Sequence, residues 1–362
     1  MRDSWARPIA IYASAAALFL ASEFLLFRTP FYRSLLEPES YSAQVGLLLA
    51  AQRQQPPSAA STVLVLGDSR IGEGFSAKIA NESVQDHRLT FANAAISGST
   101  PRSWYYVLRE LGSGVSNYRA IVLAVDDYRD EDGVWSWADY PIDLPIAVAC
   151  LRLNDTLSFA ASFHQAADRF YNLRGALLKG FVYKDDWQAL LANPRARFQK
   201  VAAFREHSAE WRYGYTGRPE SLAGLSVDWA TRSVHFPSGL TEAQRRELST
   251  AILRDTDPQH GDKFRYRKYW LGRILERYRS KSTRIIFARV PRLPVQRPEP
   301  ANLPSAIRDL AASGPGSIVL DENAFASLEK PEYFADSLHL NASGRAAFSQ
   351  QLAALIQKTA AP

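Results

Sequence analysis

One cysteine, Cys150, and one methionine stand in 362 residues. A lone cysteine excludes an intramolecular disulfide and any cysteine-based zinc site, and it leaves the redox compartment open. Runs of like charge are missing as well: 43 Lys and Arg against 37 Asp and Glu are spread along the chain, for a net charge of +6. That excess is too diffuse for a nucleic-acid footprint, which needs clustered basic residues or a binding motif. It is compatible with an anionic glycan or a lipid headgroup as neighbour. The sequence holds no internal repeat, low-complexity tract, phosphate-cradling glycine loop or metal-ligand spacing, so neither a metal nor a cofactor is expected. With 46% apolar residues the chain can bury a full core, and its length suits one large domain or two modest ones.

Long apolar runs are scarce, and the one that exists comes first. Arg2 and Arg7 precede an apolar stretch over residues 8–27, interrupted by Glu23 and closed by Arg28, Thr29 and Pro30. About 20 residues of helix span a bilayer core, and arginines ahead of the segment favour a cytoplasmic N-terminus with the remainder exported. The reading is an N-terminal membrane anchor over residues 1–30, with Glu23 near its far end, where a carboxylate reaches headgroups and water. A cleaved signal peptide is the alternative, given the small residues around Ala13 to Ala17 and at Ala21 and Ser22.

Residues 31–60 read as a helical spacer, with a helix over 41–54 and a Gln-Gln-Pro-Pro-Ser linker at 54–58. From Thr62 the pattern changes to short β-branched apolar runs alternating with helical stretches, as in βαβ units on a mainly parallel sheet. Strands are expected at 62–66, 89–92, 120–125, 284–288 and 317–320. Helices are expected at 102–111 and 342–358. An α/β domain thus comprises 61–129 and 281–362. The block between, 130–280, is rich in Trp, Tyr and Arg and reads as a helical insertion, with amphipathic segments at 156–179 and 242–253. Its aromatic and arginine side chains either pack the insertion or line a glycan-binding face.

Val63-Leu64-Val65-Leu66-Gly67-Asp68-Ser69-Arg70 puts a serine directly after a buried strand. In an open α/β sheet, ligands bind at the carboxyl ends of strands, so Ser69 is aimed at a site. Asp and Ser are also ordinary turn and N-cap residues, and this motif alone is weak. Near the other end, Asp336-Ser337-Leu338-His339 precedes the final helix. A serine nucleophile needs a general base, and the base needs an acceptor that fixes its tautomer. Of six histidines, only His339 has such a setting; His87, His164, His207, His235 and His260 read as structural or solvated.

Together, Gly-Asp-Ser after the first strand and Asp-x-x-His before the last helix resemble the SGNH (GDSL-like) hydrolase superfamily. The resemblance covers about 62–127 and 284–358. It implies a flavodoxin-like three-layer α/β/α sandwich, with Ser69 as nucleophile, His339 as base and Asp336 as its partner. Asn93-Ala94-Ala95-Ile96-Ser97-Gly98 looks like the family's second block, whose glycine amide holds the oxyanion together with the serine amide; Gly98 matches, while Ala95 stands where glycine is frequent. The third block, usually Gly-x-Asn-Asp, corresponds to Ala124-Val125-Asp126-Asp127. An ionised Asp126 would repel an oxyanion that the asparagine amide would stabilise, and one lost donor costs about 10² to 10³ in turnover. Three readings stay open: a hole built by the Ser69 and Gly98 amides alone, an Asp126 that is protonated or turned away, or a site without activity. Asp68, Asn93, Asp126 and Asp127 are expected to line the site.

A membrane helix followed by an SGNH-like domain is similar in layout to alginate acetyltransferase-like proteins and the lipoteichoic acid D-alanylation protein. That similarity implies acyl transfer, with acetyl the leading group, on a bacterial cell-envelope or extracellular polysaccharide, beside a membrane-bound O-acyltransferase. Esterase and transferase outcomes both fit a serine triad. The other class of function is a non-catalytic protein that binds glycan or organises an acylation complex.

Overall fold

The computed structural model describes residues 6–54, 61–84, 89–111, 118–128, 140–253, 261–279, 282–294, 305–313 and 316–359. Arg2 and residues 55–58 of the expected linker lie outside these.

Five strands carry the α/β part: β1 (Thr62–Leu66), β2 (Thr90–Asn93), β3 (Ala120–Val125) and, after a long excursion, two more. That excursion holds a small antiparallel hairpin, β4 (Ser226–Asp228) with β5 (Ser233–His235), which the helical reading of the insertion does not foresee. β6 (Arg284–Arg289) and β7 (Ser317–Val319) complete the main sheet. Its order is β2-β1-β3-β6-β7, and every neighbouring pair is parallel. All residues of β1 and β3 are buried, as continuous aliphatic runs between two covered faces should be. Helices flank the sheet, among them Pro101–Leu111 and Ala342–Thr359. Ile71, Phe75, Phe91, Val122, Ile286, Phe348 and Leu352 belong to one apolar core.

Because the strands are parallel, Leu66, Asn93 and Val125 end at one edge of the sheet. The chain runs from β1 to β2 on one side and then to β3 on the other. The crevice at such a reversal is where α/β sheets bind ligands.

The chain divides into two compact units, Met1–Ala50 with Pro141–Ser208, and Ala51–Tyr140 with Ala209–Pro362. The block 130–280, read from the sequence as one insertion, is therefore shared between them. In the first unit, an apolar helix (Ala6–Ala21) continues into a π-helical turn (Ser22–Phe27). Residues Ala10–Phe27 are long and apolar enough to cross a membrane. Within the stretch read as a spacer, Tyr32, Leu36, Val45, Leu48 and Leu49 are buried. The expected amphipathic stretch 156–179 breaks into Thr156–Ala161, Ala166–Leu177 and the start of Lys179–Val182. At the first break Phe163 is buried, and its carbonyl accepts from Arg169 Nε at 2.6 Å.

Candidate active site

Gly67 leaves β1 where a side chain has no room: a Cβ would lie 2.5 Å from Ile71 Cγ1. Its carbonyl accepts from the Ile96 N–H and the Ser99 hydroxyl, both at 3.0 Å, which joins the loops after β1 and β2. Asp68 caps the helix Ser69–Gly74 by accepting from the Arg70 N–H at 2.9 Å, as a carboxylate at N-cap does. The same carboxylate takes the Arg70 guanidinium, Nε at 3.1 and 3.0 Å and Nη2 at 2.5 Å. Ser69 is consequently the first helical residue, and its own N–H has no helical acceptor.

The C-terminal contribution is built by a tight loop. Ala335 N–H donates to His339 O at 2.9 Å and Asn341 N–H to Tyr333 O at 2.8 Å, so residues 334–340 close on themselves. Within the loop, Asp336 Oδ1 accepts from the Leu338 and His339 N–H groups, both at 2.8 Å. His339 Nδ1 lies 3.0 and 2.9 Å from the two Asp336 oxygens. His339 Nε2 lies 2.9 Å from Ser69 Oγ, across 270 residues of sequence. Arg345, in the helix Ala342–Thr359, ties that helix to the serine's by donating to the Gly72 carbonyl at 2.8 Å and to that of Glu73. Ser69, His339 and Asp336 are thus brought together as the sequence motifs require.

Burial would raise the Asp336 pKa, but the His339 hydrogen bond and charge and the two backbone N–H groups outweigh it and hold the carboxyl well below its ordinary value. A further donor was invisible to motif reading: Arg218 Nη1 donates to Asp336 Oδ2. Arg218 is fixed by its own carbonyl, which accepts from the Ala342 N–H at 2.7 Å. The local signal is Gly217 before Arg218 and Pro219: Gly217 has φ +96°, and a Cβ there would meet Ala342 Cα at 2.9 Å.

Gly98 follows β2 with φ +66°, in the left-handed region. Among the described residues, neither the Ser69 nor the Gly98 N–H donates to a protein acceptor. These are the two amides the sequence nominates for an oxyanion. Asn93 belongs to the scaffold: its Nδ2 donates to Phe75 O at 2.9 Å and Ile71 O at 3.3 Å, and its Oδ1 accepts from Ala95 N–H at 2.9 Å.

Asp126 is neither amide-like nor unbalanced. Arg267, buried in the helix Gly261–Tyr278, pairs with Asp126 through Nη2 and with Asp127 Oδ1 through Nη1 at 3.1 Å. Asp127 is buried against Arg267. Burial lowers the Arg70 pKa, but Asp68, Asp126 and Asp127 overcome this and raise it, so the guanidinium stays charged. Asp68, Arg70, Trp104, Asp126, Tyr266 and Arg267 line a small cavity. A larger surface cavity, lined by Gly272, Tyr278 and Leu310 among others, holds none of the triad. Among the described residues, no group of three or more His, Cys, Asp and Glu side chains could hold a metal ion. Neither a protein-family model nor a curated protein matches this chain.

Proposed function

We propose that the chain is a membrane-anchored, exported serine esterase or O-acyltransferase of the SGNH type, acting on acyl esters, acetyl foremost, of a bacterial envelope or extracellular polysaccharide. The observation that carries this reading is the hydrogen-bonded series Ser69–His339–Asp336 at 2.9 Å on both sides of the imidazole. The strand order supports the fold assignment, since it is that of flavodoxin-like sheets. The apolar helix at the N-terminus supports the anchor. Lipoteichoic acid D-alanylation and alginate acetylation proteins share the layout, which suggests a membrane-bound O-acyltransferase as partner.

In the reaction, Ser69 Oγ bonds to the acyl carbon as its proton passes to His339 Nε2, and Asp336 stabilises the imidazolium. The Ser69 and Gly98 N–H groups receive the oxyanion. Collapse expels the alkoxide leaving group, which takes the proton from His339. Water or an acceptor hydroxyl, deprotonated by His339, then attacks the acyl-enzyme and frees Ser69.

The full chain in detergent is incubated with p-nitrophenyl acetate and, separately, with a fluorophosphonate. Acetate release and labelling that vanish in Ser69→Ala are expected. Their absence in folded wild type would transfer the argument to the second reading, a glycan-binding or scaffold protein, which Asp126 at the usual asparagine position favours.

A further inference from the structure

The end of the apolar helix is locked into the first unit. Glu23, 2% exposed, accepts from the N–H groups of Lys179 and Gly180 at 2.7 and 2.9 Å and pairs with Arg28 at 3.2 Å. The sequence places this carboxylate among headgroups and water; it is instead the cap of the short helix Lys179–Val182. Phe27 packs on Tyr32, Tyr183 and Trp187. Protein contacts therefore begin on one side of the helix at residue 23, while Phe24 and Leu25 stay exposed.

The length of the span sets a depth. Ala10–Phe27 is 18 residues, about 27 Å of helix at 1.5 Å per residue, against a hydrocarbon core about 30 Å thick. A span that is somewhat short draws the protein at its end into the interface. Arg28 marks the level: its Nη2 donates to Ala176 O at 3.0 Å and to Leu177 O. The C-terminal end of the helix Ala166–Leu177 is thus pinned one residue beyond the apolar span.

This helix carries exposed apolar residues. Phe170 is 65% and Leu177 46% exposed, seven positions apart with the half-buried Leu173 and Arg174 between them on the same face. Arg174 lies 5.9 Å over the Phe170 ring and 3.5 Å over that of Phe181, a cation laid along apolar surface as at membrane interfaces. Phe24, Leu25 and Phe31 are also exposed at the helix exit.

We propose that the helix Ala166–Leu177 lies in the headgroup region of the bilayer, with the Phe170–Leu173–Leu177 stripe in contact with lipid. The first unit is then a membrane-seated foot and not only a tether. The proposal rests on the membrane-anchor part of the function proposed above and is independent of the triad.

The test uses the full chain in lipid nanodiscs. Cys150 is buried, so the native protein serves as the unlabelled control for Leu18→Cys, Phe170→Cys and Leu177→Cys, each carrying an environment-sensitive fluorophore. Leu18 reports the span. The expected result is loss of emission at all three positions with brominated lipid and protection of all three from aqueous iodide. Quenching of Phe170→Cys and Leu177→Cys by iodide alone, with Leu18→Cys quenched by lipid, would overturn the proposal and leave the anchor intact. Protection from both quenchers would overturn it in favour of a protein partner. A Leu18→Cys probe untouched by lipid would remove the anchor reading itself.

Discussion

Replacing Asp336 by asparagine tests the site at one atom. Asp336 Oδ1 holds the Leu338 and His339 N–H groups at 2.8 Å and lies 3.0 Å from His339 Nδ1, while Oδ2 faces Arg218 Nη1 and lies 2.9 Å from the same Nδ1. In Asp336→Asn the amide oxygen must keep the Oδ1 position, because the NH2 group cannot face two N–H donors. The NH2 group then stands at the Oδ2 position, against the Arg218 guanidinium and His339 Nδ1. Nδ1 becomes the acceptor, the imidazole proton moves to Nε2, and it points at Ser69 Oγ 2.9 Å away. The base can no longer take the serine proton. The wrong tautomer costs about 10⁴ in turnover, or about 5 kcal/mol of barrier. Stability should fall by only about 1 kcal/mol, since Arg218 is partly exposed and can turn to water. The assay is the rate of fluorophosphonate labelling and of p-nitrophenyl acetate turnover, with urea denaturation alongside. Asp336→Asn with Arg218→Met, which removes the opposed donors, should regain stability without regaining turnover. A folded Asp336→Asn variant within tenfold of wild type would refute the assignment of His339 as base.

Arg267→Met leaves Asp126 and Asp127 without their guanidinium and should cost about 3–5 kcal/mol by urea denaturation; adding Asp126→Asn should return part of it, and an unchanged midpoint would contradict the pairing. Gly67→Ala forces a Cβ to 2.5 Å from Ile71 Cγ1 and should destabilise by about 1–3 kcal/mol, read as a lowered thermal midpoint. Lys179, desolvated by burial and crowded by Arg28 and Arg33, has its pKa lowered to about 8. Between about pH 8 and pH 10.5 the unfolded chain keeps a proton that the folded chain has released, so stability rises with pH through that window. Below it the cost of the buried charge is fully present. Lys179→Met should remove that rise and stabilise the chain at pH 7 by up to about 3 kcal/mol, on the 2% to 5% exposure of this locus.

What the sequence determined by itself is local. Strands β1 and β3 and the helix Tyr41–Gln54 fall on the expected residues, because β-branched apolar runs and helical periodicity are read within a few residues of chain. The Asp336 and His339 pair is legible for the same reason, since an aspartate three residues before a histidine can close its own turn onto it. Breaks such as that at Phe163 were not legible, as a buried ring and one arginine bond override a continuous pattern. Only the tertiary structure decided the contacts that make a site. It joined Ser69 to His339 across 270 residues through the parallel sheet and the Arg345 tie. It brought Arg218 to Asp336 and Arg267 to Asp126, pairings between charges whose sequence positions carry no mutual signal. It also buried Glu23 under residues 156 and 157 positions away. Composition announces that a charge exists; which opposite charge meets it is settled only when the elements pack, because Coulomb attraction and desolvation depend on distance and burial.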